Sequence, residues 1–77
     1  MENRYLSIAN RELDDAIESF KLLKTTLAEF KEELPHIDGT NGDYQAQLVQ
    51  NAIDSIDESM RQVMMVKDYV KEMLENE

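Results

Sequence analysis

Residues 6–34 read LSIANRELDDAIESFKLLKTTLAEFKEEL and place apolar side chains at Leu6, Ala9, Leu13, Ala16, Phe20, Leu23, Leu27, Phe30 and Leu34. The steps between them alternate three and four without a miss over four heptads. That is an a/d seam, the pattern of a helix packed lengthwise on another helix. Tyr5 and Ile17 widen the stripe, and the intervening positions are largely charged or polar, among them Arg11, Glu12, Asp14, Asp15, Glu18, Lys21, Lys24 and Glu29.

The pattern stops at Pro35, which disfavours the α conformation for Leu34 and has no amide proton to donate. The stretch from Pro35 to Asp43 holds the only Pro and both Gly residues of the chain, and it reads as the one turn. Beyond it a second helix is expected, with Thr40, Asn41 and Asp43 all credible N-caps. Its apolar positions are Val49, Ala52, Ile53, Ile56, Met60, Val63, Val66, Val70, Met73 and Leu74, a broader and less strict stripe interrupted at Ser59 and Lys67. A broad stripe suggests contact with more than one neighbour.

The expected fold is therefore all-α, a single domain over residues 1–77. It comprises a helix over about 3–34, a loop over about 35–42 and a helix over about 43–75. So short a connection forces an antiparallel two-helix hairpin. Folding the chain about the middle of the loop sets Phe20 near Ile56 and Leu27 near Val49 and Gln50. Leu13, Phe20, Leu23, Leu27, Ile56, Met60 and Val63 form the expected hairpin seam. Two helices bury one stripe each and leave its outer edge wet, and a domain this small buries only about 60% of its unfolded surface. The hairpin is thus expected to complete a four-helix bundle, by dimerisation or by binding another helical chain. On a helical wheel Met65 falls opposite the second seam, with Tyr69 one turn on and Met73 bordering the same side. These three are the candidate partner-binding residues, since Met and Tyr are favoured at partner surfaces. Leu22 stands alone away from its seam and is read as ordinary surface.

Composition narrows the function. The chain has 17 acids against 8 bases, a net charge of -9, no Cys, no Trp and one His. There is no disulfide framework and no thiolate metal site. Phosphate binding needs clustered Lys and Arg, so no nucleic-acid partner is expected. The longest apolar run, Val63 to Val66, is far short of the roughly 20 residues of a membrane span. The start, Met1-Glu2-Asn3-Arg4, does not read as a cleavable signal, so none is expected. The expected location is cytoplasmic, or exported without a cleavable signal.

Catalytic and metal motifs fail one by one. His36 lacks a second ligand or a catalytic partner and reads as a loop residue. The stretch from Asp38 to Asp43 resembles a calcium loop, but counting from Asp38 puts Gly42 at the fifth position, Asp43 at the sixth and Val49 at the twelfth, which breaks the EF-hand pattern. The acids Asp14, Asp15 and Glu18, and Asp54, Asp57 and Glu58, could approach each other across the hairpin, yet they lie outside the seam and read as a solvated face. Asp57 with Arg61 and Asp68 with Lys71 are helical ion pairs worth about 0.2–0.5 kcal/mol each. Glu33 with His36 is the one candidate for a bundle di-metal motif, and Pro35 interrupts it. Ser7, Ser19, Ser55 and Ser59 fall in helices with no His beside them. No enzyme activity, metal, cofactor or small-molecule substrate is expected.

This layout, two helices about one polar turn, resembles the WxG-type proteins of type VII secretion in Gram-positive bacteria and the small targeting partners of its toxin substrates. Members of that group are helical hairpins that dimerise into four-helix bundles. The resemblance covers the whole chain by layout and departs in detail. Thr40-Asn41-Gly42 stands where the family has Trp-x-Gly, and Tyr69 is followed by Glu72 and Met73 where the family's Tyr-x-x-x-Asp/Glu would put an acid at the fourth place. The polar turn running into Gly42-Asp43-Tyr44-Gln45 is similar to the small co-chaperones of type III secretion. The resemblance implies an adaptor, chaperone or targeting partner of a larger helical protein. The alternatives are a self-sufficient homodimer of structural or regulatory kind, for example phage-encoded, and an acidic mimic of DNA.

Overall fold

A computed structural model of the chain, described at residues 3–37, 39 and 42–76, is an antiparallel helical hairpin. Helix α1 spans Arg4–Glu33 and runs on into a single 3₁₀ turn, Leu34–His36; helix α2 spans Gly42–Glu75. The described residues form no strand. The body measures 59 × 15 × 13 Å with a radius of gyration of 17.5 Å. A globular chain of this length would have about 11 Å. A rod two helices wide has little interior, and the burial pattern below follows from that.

Each end of α1 has a local cause. Asn3 is extended (φ -83, ψ 106) and its Oδ1 accepts the Leu6 amide proton at 3.2 Å, satisfying one of the orphan donors of the first turn. At the other end the expectation drawn from Pro35 is corrected. Leu34 stays in the α region (φ -52, ψ -43), its amide still donates to the Phe30 carbonyl, and the chain continues helically through His36. Leu34 is 2% exposed and packs on Val49 and Ile53, with Leu27 and Ala46 against them. That burial offsets the pre-proline penalty, and Pro35 sits in the first turn of the 3₁₀ segment, where no amide donor is needed.

The turn itself centres on Gly39, whose φ of 83° lies in the left-handed region. A side chain there would meet no neighbour within 4 Å, so its cost is purely conformational. Gly39→Ala is expected to lower stability by about 1–2 kcal/mol in a chemical denaturation curve, with the slope unchanged. Of the three N-cap candidates for α2, Thr40 and Asn41 lie outside the described residues, as does Asp38 of the loop. Asp43 lies inside the first turn, where its charge complements the helix dipole.

Lys24, Lys31 and Lys67 make polar contacts across the two helices, and these fix the register. Lys24 Nζ meets Asp57 Oδ1 at 2.7 Å, Lys31 Nζ donates to Gln50 Oε1 at 2.6 Å, and Lys67 pairs with Asp14. All three share one alignment. It sets Phe20 about one turn further along α2 than Ile56. The expected pairing was early because the helical path continues to His36 and the fold point falls later in the chain. The same contacts separate the two acid clusters along the rod. Asp14 faces Lys67 and Asp57 faces Lys24, so one acid of each cluster meets a base of the opposite helix. Arg61 turns to Glu58 rather than to Asp57.

The helices also meet along a line rotated from the sequence seam. Ile17 is 7% exposed and central, whereas Leu23 and Phe30 are each 46% exposed. The contact line of α1 takes Leu13, Phe20, Leu27 and Leu34 from the expected seam. Its other column is Asn10, Ile17, Lys24 and Lys31, in place of Ala9, Ala16, Leu23 and Phe30. From α2, Val49, Ile53 and Val70 are buried, while Ile56, Met60 and Val63 are half-buried.

Candidate interaction surface

The rotation of the contact line divides the hairpin into two unlike broad sides. At 100° per residue, all eight Lys and Arg fall on one side: Arg4, Arg11, Lys21, Lys24, Lys31, Arg61, Lys67 and Lys71. The three cross-helix polar contacts bridge that side. Two grooves remain there, one of about 290 Å³ walled by Asp14, Glu18, Lys21, Lys67 and Asp68 around Ile17 and Met64, and one of about 430 Å³ walled by Lys21, Lys24, Glu29 and Glu32 around Ala28 and Met60. Nearby, Arg61 grips Glu58 with hydrogen bonds of 2.7 and 2.8 Å, and Gln62 donates to it at 3.1 Å. The hydrogen bond from Arg61 is the chief reason that the Glu58 carboxyl is held below the usual carboxylate range.

The opposite side is open and apolar. Its groove towards the free ends of the helices has a volume of about 430 Å³ and is lined by Tyr5, Leu6, Ala9, Val66, Tyr69 and Met73, with Glu12 at the rim. A further hollow of about 350 Å³ continues it along Leu13, Ser59, Gln62, Val63 and Val66. Leu23 and Phe30 extend the same side towards the turn, being the column of the α1 seam that the hairpin contact does not cover. Among the described residues, helical periodicity puts only Glu12 and Glu33 of the charged side chains on this face.

The three candidate partner residues separate. Tyr69, 63% exposed, and half-buried Met73 line the apolar groove. Met65, 62% exposed, points to the outer back of α2, in the same column as exposed Glu58 and Glu72. Of the seam residues, Leu13 reaches both the hairpin contact and the hollow, whereas Leu23 is turned to the open face. The periodicity of α1 alone could not show this, because a stripe three columns wide fits two contact lines. The deciding signal was the second heptad column, Asn10 to Lys31, whose lysines match Gln50 and Asp57 across the hairpin.

His36 is exposed beside the turn, and the described residues contain no group of His, Asp and Glu arranged to hold a metal ion. No helix among them is long and apolar enough to cross a membrane. No family model matches the chain, and no curated protein or solved structure is significantly similar to it.

Proposed function

We propose that this chain is a non-enzymatic interaction module that acts by helix–helix association, its open face completing a four-helix bundle with other helices. The observation that carries this reading is the segregation of charge. A chain with net charge -9 keeps one long side nearly free of charged residues and leaves Leu23, Phe30, Val66 and Tyr69 exposed there. A rimmed apolar surface on an otherwise highly charged protein marks an interaction site. The absence of a membrane-spanning helix among the described residues is compatible with an adaptor, chaperone or targeting partner of a larger helical protein, working in the cytoplasm. The two-helix layout supports a bacterial secretion setting by resemblance alone. The second reading, a self-sufficient homodimer, is favoured by the sparse charge of the same face, which two copies can bring together while all described acids except Glu12 and Glu33 stay outside the contact. A mimic of DNA has less support, since an acidic decoy would concentrate its charge where this face carries only Glu12 and Glu33 among the described residues.

The test is affinity capture from the host's own extract with four chains: wild type, Tyr69→Ala, Met73→Ala and Met65→Ala. The expected result is a helical protein retained by wild type and by Met65→Ala and released by the two groove variants, with helicity unchanged in all. Equal retention by all four chains would remove the groove from the binding surface.

A further inference from the structure

Resting on the association reading above, we infer that the open face of the free chain is covered by a second copy of the same chain. The first argument is charge. A cationic partner helix would find only Glu12 and Glu33 on this face among the described residues, while the remaining described acids lie on other sides of the rod. The surface offers little charge to pair with and selects an apolar counterpart, and each molecule carries one. Stacking two such faces leaves every Lys and Arg, and the ion pairs Lys24–Asp57 and Lys67–Asp14, outside the new contact. The large like charge of two copies stays on outer surfaces, where water and salt screen it.

The second argument is shape. The register set by Lys24 and Asp57 places large and small side chains level with each other across the groove. Towards the turn, Phe30 and Leu23 of α1 stand level with Ala52 and Ser59 of α2. Towards the free ends the order reverses, and Met73 and Val66 of α2 stand level with Ala9 and Ala16 of α1. Both two-fold stackings of such a face, with turns at the same end or at opposite ends, set each large side chain against a small one of the other copy. That alternation is what an isologous, close-packed bundle needs. The hairpin alone has five buried apolar residues among those described, and the second copy supplies the missing half of the core.

Sedimentation equilibrium of the full chain at micromolar concentration tests this directly. The expected wild-type mass is that of a dimer, and its melting temperature should rise with concentration. Val66→Glu puts a charge at a half-exposed position of the open face and should weaken the dimer by about tenfold or more. Met65→Glu, on the outer back of α2, should leave it unchanged. If Val66→Glu loses its helicity, Leu23→Glu on the other helix of the face carries the same expectation. Equal effects of Val66→Glu and Met65→Glu would overturn the assignment of the face. A folded monomeric wild type that binds the dye anilinonaphthalene sulfonate would overturn the second copy and leave the face for a different helical partner. A folded monomer that binds no dye would overturn the association reading as well.

Discussion

Leu34→Ala is expected to abolish cooperative folding, or to bring the melting transition close to room temperature. Leu34 is the most buried side chain of the hairpin, 2% exposed, and it anchors the cluster with Val49 and Ile53. Truncating a fully buried leucine removes its transfer free energy and leaves a cavity, at a cost of about 2–5 kcal/mol. The total stability of a chain this small is on the order of 5 kcal/mol. One substitution therefore consumes most of it. The position adds a second effect, because Leu34 holds the last turn of α1 in place ahead of Pro35. Without that burial the pre-proline preference for extended backbone would act unopposed and loosen the 3₁₀ turn. Leu22→Ala is the control. Leu22 is 69% exposed, and its replacement should shift stability by less than about 0.5 kcal/mol. Thermal and urea unfolding followed by circular dichroism at the same chain concentration would measure both. A Leu34→Ala chain that melted like the Leu22→Ala chain would mean that the cluster at the turn is not the core of the fold.

The hairpin could be read from the sequence because its signals are local. A seam repeating every three and four residues, and one cluster of Pro and Gly, each act within a turn or two of the chain. What the sequence left open was rotation and register, which depend on how two helices choose between overlapping stripes. The α1 stripe contains Leu13, Phe20, Leu27 and Leu34 under either choice. Deciding between the column of Ala9, Ala16, Leu23 and Phe30 and the column of Asn10, Ile17, Lys24 and Lys31 requires knowing what stands opposite. Apolar content alone favours the first column. The structure takes the second, which buries Ile17, and there Lys24 meets Asp57, Lys31 meets Gln50 and Asp14 meets Lys67, the long lysine stems covering apolar surface while their heads stay wet. The candidate surface follows from that choice. The more apolar column is turned outward, so the open face is the residue of a competition within α1 and carries no motif of its own. Tyr69 and Met73 line the open face and Met65 does not, a distinction that a wheel without a partner helix cannot make.

Asn10→Leu is expected to raise the melting temperature. Asn10 occupies the contact column of α1 one heptad before Ile17, and its Oδ1 is buried without a hydrogen-bond partner. A buried acceptor left unmet costs about 1–3 kcal/mol. Leucine, with the same branched shape and a larger apolar volume, removes that cost and adds apolar burial in the contact column. In a domain of this size each kcal/mol gained moves the melting point by about 4–8 °C. The gain should appear at the same concentration in circular-dichroism melts of the two chains. It should carry a penalty in uniqueness. A single asparagine in such a column disfavours sliding and rotation of the helices, since any shift moves it to a worse place. The leucine chain is thus expected to melt higher but less sharply, with broader amide resonances along α1. A lower melting point would overturn the expected gain, the column then having no room for the larger side chain or Oδ1 being met by water in solution. An unchanged one would place the side chain outside the contact line and return the hairpin to the column of Ala9 and Ala16.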